Sequence, residues 1–190
     1  APISPGDIWN ALLGIVRKDR AIRDLWEDLE DYFGVKYIFL VSSGKAAFLL
    51  SLLALRDESD RDEVVIPAYT CYSVPSSIVK AGLKIRLCDV NPETLDFDFE
   101  HLEKIVSFRT LCIVPVHLFG IPSDVDRVRP IAARHGAIIV EDAAQAMGGT
   151  FQGRKLGTLG DIGFFSLGRG KNITSGSGGI LLTGSDKWGQ

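Results

Sequence analysis

From residue 37 onward, short apolar runs alternate with longer amphipathic stretches. Each run is four to seven residues long and rich in Val, Ile, Leu or Phe, as in strands buried on both faces. The runs are residues 37–41, 63–66, 84–88, 110–116 and 137–140, and helices are predicted between them over 46–55, 73–81, 98–106 and 123–135. The alternation predicts an α/β fold, a three-layer, mostly parallel sheet with helices on both faces.

The pattern differs at the two ends of the chain. Amphipathic helices are predicted over residues 8–16 and 22–33, and Gly34 is expected to end the second one. After Gly148, glycines separate brief apolar runs at 162–165 and 180–183, which predicts tight turns. No closing helix is predicted after the last run, so we expect a piece of a longer protein. Within the helix over 123–135, Pro130 is expected to cause a kink or a shortening.

Composition excludes several functional classes. The 190 residues are 46% hydrophobic, enough for a real core, and 21 Lys plus Arg against 24 Asp plus Glu form no basic stripe for nucleic acid. The three cysteines lie far apart and the three histidines lack metal-ligand spacing, so we predict no disulfide framework and no metal site. Reduced cysteines fit the cytoplasm. No signal peptide and no membrane span are predicted from the sequence.

Ligands of parallel α/β sheets bind at the carboxyl ends of the strands, so the residues that follow each strand are the candidates. After the first strand, residues 42–45 read Ser-Ser-Gly-Lys and lead directly into a helix. That arrangement aims backbone N–H groups and the positive end of a helix dipole at an anion such as phosphate. A glycine-containing turn with a serine cap, and no ligand, explains the same residues.

Two later positions carry chemistry. Asp142 follows the fifth strand, where an aspartate serves either as a helix cap or as a buried counter-ion for a cationic ligand. Lys171 lies between two glycine-rich turns, where partial burial would favour a nucleophilic amine, although a solvated loop lysine is the common alternative. His117 also follows a strand, and a site role and a structural role suit it about equally. The residues around Lys171 match neither the phosphate-loop signature nor the dinucleotide fingerprint.

Five motifs in order carry a family resemblance. They are SSGKAA at 42–47, DEVVIPAYT at 62–70, PVHLFG at 115–120, EDAAQA at 141–146, and residues 166–179 around the lysine. With these motifs the chain resembles, over residues 32–183, the DegT/DnrJ/EryC1/StrS family of sugar aminotransferases of fold type I. The resemblance implies pyridoxal 5′-phosphate as cofactor, bound by the large domain of that fold.

The resemblance also implies roles for single residues. Lys171 would form the Schiff base with the cofactor and then move protons between the two carbon centres. Asp142 would pair with the pyridine nitrogen, and Gln145 would lie near the phenolic oxygen of the ring.

The remaining implied contacts concern the phosphate and the ring face. Gly44 and Lys45 would offer backbone N–H groups to the phosphate, and Ser166 its hydroxyl. The aromatic residue that stacks on the ring usually follows the Pro-x-aromatic-Thr segment directly. That position is Cys71 in this sequence, so Tyr72, one residue later, is predicted to stack on the ring.

The activity implied by the resemblance is transamination of a nucleotide-linked keto sugar, with glutamate or glutamine as the amino donor, by a cytoplasmic enzyme that is a homodimer at full length. Related dehydratases of the fold lack the lysine. Family members are longer, so residues 1–190 are expected to hold N-terminal helices and an incomplete large domain that binds pyridoxal phosphate, without the small C-terminal domain. The alternative is a noncatalytic or regulatory remnant, since Ser177 stands where the family has glutamate.

Overall fold

The computed structural model describes residues 4–190, and two helices precede its sheet. They are α1 (Pro5–Val16) and α2 (Lys18–Phe33). Ser4 begins α1 with a reciprocal cap, because its hydroxyl accepts from the Asp7 amide at 3.2 Å and its own amide donates to the Asp7 carboxylate at 2.7 Å. Gly34, in the left-handed conformation at φ 63°, ends α2 as predicted. None of the helices within residues 4–190 is long and apolar enough to cross a bilayer.

A seven-stranded sheet forms the centre of the fold. The strands are β1 (Tyr37–Val41), β2 (Glu63–Pro67), β3 (Lys84–Cys88), β4 (Thr110–Ile113), β5 (Ile138–Asp142), β8 (Ile162–Ser166) and β9 (Gly179–Thr183), and a separate hairpin pairs β6 (Thr150–Phe151) with β7 (Arg154–Lys155). The spatial order is β1-β9-β8-β5-β4-β2-β3. Only β9 runs antiparallel to its neighbours, so the mostly parallel sheet is confirmed.

Helices cover both faces of this sheet. The crossover helices are α3 (Gly44–Asp57), α4 (Ser73–Lys80), α5 (Phe99–Ile105) and α6 (Val125–His135). One core lies beneath α2, α5 and α6, and the other beneath α3 and α4. Successive residues of β8 serve different cores, since Phe164 packs in the second and Phe165 in the first. The three-layer architecture predicted from the alternation is therefore confirmed.

Three local features differ from the sequence prediction. A one-turn helix, α7 (Asp186–Gly189), closes the chain where none was predicted, and the Tyr37 hydroxyl donates to the Asp186 carboxylate at 2.9 Å. One turn is too short to show apolar periodicity. Helix α6 continues through Pro130 to His135, so the proline does not end it. The helix begins later than predicted because Asp124 caps it, accepting from the Arg127 amide at 3.2 Å.

Candidate active site

The candidate site lies at the sheet edge where β1, β2, β5 and β8 all have their carboxyl ends. A cavity of about 280 Å³ opens there. Six of the seven residues predicted as site residues line it: Gly44, Lys45, Asp142, Gln145, Ser166 and Lys171. Lys171 and Asp142 therefore share one cavity, although they are far apart in sequence.

The amino end of α3 forms one wall of the cavity. Ser43 caps this helix, with its hydroxyl accepting from the Ala46 amide at 3.1 Å. First-turn amides have no acceptor within their own helix, so those of Gly44 and Lys45 are suited to an anion. The Lys45 ammonium donates to the Ser76 hydroxyl on α4 at 3.0 Å. This wall thus combines a helix dipole with a cation.

Glycine at position 44 permits a close approach between this wall and β8. A Cβ atom at Gly44 would lie 2.7 Å from the Cβ of Ser166 and 3.1 Å from the carbonyl oxygen of Phe165. Only glycine allows the first turn of α3 to come this near to the end of β8. As a result, the amides of α3 and the Ser166 hydroxyl face the same small volume.

The Ser43 cap yields a testable stability prediction. Ser43→Ala should lower the free energy of unfolding by about 1 kcal/mol, because the Ala46 amide loses its acceptor. Urea denaturation of the purified chain measures the change. Ser185→Ala is the matched control, since Ser185 precedes α7 without a side-chain capping bond. Its effect should stay within about 0.5 kcal/mol. An equal loss in both variants would contradict the assignment of the cap.

Asp142 is the buried charge of the site. The residue is 5% exposed, and burial raises the pKa of its carboxyl to about 6. The hydrogen bond from the Ala144 amide and the electrostatic effects of His117 and Lys171 act in the opposite direction. One oxygen, Oδ1, accepts from the Ala144 amide at 3.0 Å, which is the only side-chain hydrogen bond of Asp142 within residues 4–190. The other oxygen is left for a ligand, and a cationic N–H donor suits it.

The orientation of Gln145 follows from its one side-chain hydrogen bond within residues 4–190. Its Oε1 accepts from the Phe119 amide at 3.2 Å. Because the carbonyl oxygen is already engaged, the amide NH₂ group is the part that can serve a ligand. Gln145 is therefore set to donate a hydrogen bond to an acceptor oxygen, such as a phenolate.

Ser166 and Lys171 come from the end of β8 and the loop after it. The loop folds back on itself, with the Lys171 amide donating to the Gly168 carbonyl at 3.2 Å and the Ser175 amide to the Leu167 carbonyl at 3.1 Å. An isolated bridge between Gly168 and Gly176 closes it. This loop brings Lys171 to the cavity that Asp142 also lines.

A larger groove of about 760 Å³ lies away from these residues. The residues that line it include five carboxylates: Glu93, Asp96, Asp98, Glu100 and Asp124. A surface of this charge repels a phosphate. The smaller cavity, with its helix amino end and its two lysines, is therefore the better phosphate site.

A sequence profile decides the family. The profile of the DegT/DnrJ/EryC1/StrS aminotransferase family matches residues 13–189. This chain belongs to that family.

Named relatives of this family member agree with the assignment. It is 37% identical over 167 residues to GDP-perosamine synthase of Caulobacter vibrioides, covering 88% of this chain and 45% of the relative. It is 37% identical over 153 residues to L-glutamine:2-deoxy-scyllo-inosose aminotransferase of Streptomyces kanamyceticus, covering 80% and 36%. The chain thus spans less than half the length of these two relatives.

A solved structure supports the fold type. The chain matches E. coli GDP-4-keto-6-deoxy-D-mannose-3-dehydratase, which holds hydrated pyridoxal phosphate, with a TM-score of 0.88 and 26% identity. The match covers 99% of this chain and 51% of that one. Fold type I, expected from the sequence resemblance, is confirmed.

Tyr72 is the predicted site residue that the structure of this family member does not bring to the cavity. Its side chain is 82% exposed, and the neighbouring Cys71 lines the cavity instead. Cys71 occupies the family's aromatic position, and the Ser73 hydroxyl lies 3.2 Å from its sulfur. The family's aromatic position therefore pointed to Cys71 as the lining residue. Tyr72 immediately precedes α4, and its ring is directed to the surface.

Sequence reasoning also missed several lining residues. Ser73, Val74 and Ser77 come from one face of α4, at spacings of one, three and four residues. Phe48 of α3 lies against Phe164 of β8, with ring centroids 5.0 Å apart, and both line the cavity. Helical spacing alone identifies a buried face, but only the topology shows that this face reaches a ligand site.

Proposed function

We propose that this chain contains the cofactor-binding part of a sugar aminotransferase that depends on pyridoxal phosphate. The observation that carries the proposal is the meeting of Lys171, Asp142 and the amino end of α3 at one cavity. An amine, a buried carboxylate and a phosphate-binding helix end are the three groups that this cofactor requires.

The residues at the cavity fit the cofactor group by group. The α3 amides and the Ser166 hydroxyl would hold the phosphate, and the free oxygen of Asp142 would accept from the protonated pyridine nitrogen. The NH₂ group of Gln145 would donate to the phenolic oxygen. When bound, the cofactor supplies an electron sink for bond breaking at the carbon that carries the amino group.

Two residues carry the protein's share of the chemistry in this proposal. Lys171 would hold the cofactor covalently through its Nζ, and the freed amine would then accept and return a proton as general acid and base. Asp142 would keep the pyridine nitrogen protonated. Burial raises the pKa of this carboxyl, and a cationic partner at Oδ2 would favour the ionised carboxylate.

The amino acceptor is proposed to be a nucleotide-linked keto sugar, and the donor glutamate or glutamine. The names of the Caulobacter and Streptomyces relatives support a sugar acceptor and a glutamine donor, respectively. Lys171 favours transamination over dehydration, because the related dehydratases lack this lysine. The arrangement of residues 1–190 as N-terminal helices plus an incomplete large domain, the homodimer and the cytoplasmic location stay predictions.

Trapping with borohydride tests the proposal. Incubation with pyridoxal phosphate followed by reduction should give one stable pyridoxyl adduct, located at Lys171 by peptide mass spectrometry, and Lys171→Ala should lose it entirely. Lys45→Ala is the matched control, since Lys45 is the second amine at the cavity, and it should keep the adduct at saturating cofactor. An adduct that persists in Lys171→Ala, or none in the wild-type chain, would overturn the proposal.

A further inference from the structure

His117 and Glu141 form a buried pair beside the candidate site that the proposed function leaves unused. Both side chains are fully buried, and His117 Nε2 lies 2.7 Å from Glu141 Oε1. Glu141 belongs to β5, whereas His117 lies beyond the end of the neighbouring strand β4. Two ionisable groups removed from water in this way need a specific set of partners.

The hydrogen bonds of His117 fix its tautomer. The Ser123 amide donates to Nδ1 at 3.0 Å, so Nδ1 carries no proton. The ring hydrogen therefore sits on Nε2 and is donated to Glu141. His117 links a backbone amide on one side to a carboxylate on the other.

Glu141 is correspondingly surrounded by donors. Besides His117, Oε1 accepts from the Gly157 amide, and Oε2 accepts from the amides of Leu159 at 2.7 Å and Gly160 at 2.9 Å. Four hydrogen-bond donors thus converge on one buried carboxylate and stabilise a negative charge there. A negative charge is thus held next to Asp142 along the chain.

The segment that carries His117 also holds Asp142 in place. The Asp142 amide donates to the Pro115 carbonyl at 2.9 Å, and the His117 amide donates to the Asp142 carbonyl at 3.0 Å. Any displacement of His117 from Glu141 is therefore passed to the backbone of Asp142. We propose that His117 is a positioning residue that, through Glu141, fixes the Asp142 carboxylate and offsets the neighbouring negative charge.

This inference rests on the proposed function only for its cofactor readout. The groups that act on Asp142 are Lys171 from the loop after β8 and His117 from the segment after β4. Glu141 is the preceding residue of the same strand, and Lys45 lines the same cavity. If the Nε2–H of His117 is removed, the charge of Glu141 is less compensated. That change disfavours a second negative charge at Asp142.

Two substitutions separate the two bonds of His117. His117→Asn keeps an acceptor near the position of Nδ1 but loses the donor to Glu141, whereas His117→Gln keeps a donor near Nε2. Thr183→Val is the matched control. It removes a buried hydrogen bond of 2.6 Å from the Thr183 hydroxyl to the Asp161 carbonyl, at the end of β9 that lies away from the candidate site. All three should lower the thermal midpoint, so stability alone does not distinguish them.

The deciding readout is the titration of the Asp142 carboxyl in the chain without cofactor. It is followed by NMR of ¹³C-labelled aspartate, with Asp142→Asn identifying the signal. His117→Asn should move the midpoint upward by about half a pH unit or more, and His117→Gln and Thr183→Val should leave it unchanged. Glu141→Gln, which removes the neighbouring charge, should move it downward.

The direction in which the Asp142 midpoint moves decides whether the inference holds. A downward midpoint in His117→Asn would mean that water enters a loosened site, and an unchanged one would mean no link; either result overturns the inference. If His117→Asn does not fold, an upward or unchanged midpoint in Glu141→Gln overturns it. The second readout is the affinity for pyridoxal phosphate. His117→Asn should weaken binding about tenfold, and Thr183→Val should weaken it less than twofold. A wild-type chain that binds no cofactor refutes the proposed function, while the titration still tests His117.

Discussion

Without added cofactor, Asp142→Asn is expected to be more stable than the wild type at pH 7, while it should bind pyridoxal phosphate more weakly. In the folded chain the pKa of this carboxyl is raised from 3.8 to about 6 by burial. The folded state therefore binds a proton between these pH values that the unfolded chain has released, and stability falls as the pH rises through this window. Above pH 6 the wild-type chain carries the full cost of the buried charge, about 3 kcal/mol, and asparagine removes it.

The difference in stability between the wild type and Asp142→Asn should depend on pH. Below about pH 4 the carboxyl is protonated in both states, so the wild type and Asp142→Asn should unfold at similar denaturant concentrations. The stability advantage of the variant should grow between pH 4 and 6 and stay constant above. Urea unfolding at a series of pH values measures it. The control is Asp124→Asn at the α6 cap, where either side chain serves, with an effect within about 0.5 kcal/mol. A variant less stable than the wild type at pH 7 would contradict the buried-charge account.

Cofactor binding should change in the opposite direction. An asparagine at position 142 has no negative charge for a protonated pyridine nitrogen. A hydrogen bond to a charged group contributes about 1.5–3 kcal/mol, so the dissociation constant should rise about 10- to 100-fold. Absorbance titration at pH 7.5 measures it. A stabilised variant with unchanged cofactor affinity would refute the pairing of Asp142 with the ring nitrogen.

The sequence predicted the sheet well because each long strand contains a short run rich in Val, Ile, Leu or Phe. The predicted bounds of β1 and β3 agree with the structure at both ends. The run at 110–116 is longer than β4, which ends at Ile113. Pro115 has no N–H group for a ladder, so the chain leaves the regular pairing there and keeps one bridge, between Val116 and Asp142.

The site was predictable where topology alone decides it. Residues after the carboxyl ends of parallel strands meet at one edge, and this brings Gly44, Asp142 and Lys171 together. The orientation of a loop side chain depends instead on local dihedral angles. Tyr72 adopts a helical conformation at φ −50° and ψ −29°, which directs its ring outward, and no residue pattern encodes that choice. The contact of His117 with Glu141 likewise joins residues 24 positions apart.

Gly179→Ala is expected to damage both the sheet and the phosphate-binding wall. Gly179 begins β9 and pairs with Val41 of β1 on one side and Ser166 of β8 on the other. A Cβ atom there would overlap the carbonyl group of Ser43 and lie 2.5 Å from the amide nitrogen of Gly44. These are backbone atoms, so no rotamer change relieves the overlap, and the amino end of α3 must move away from β9.

Overpacking of this kind costs about 2–3 kcal/mol, and the expected loss in unfolding free energy for Gly179→Ala is of that size. The displaced α3 amides should also weaken binding of pyridoxal phosphate, since they form the proposed phosphate contact. Gly184→Ala is the matched control, because it follows the same strand and a Cβ there meets nothing within 4 Å. Urea unfolding and cofactor titration of the two variants should therefore diverge. If Gly179→Ala keeps wild-type stability and affinity, the close approach of β9 to the first turn of α3 is not what shapes this wall.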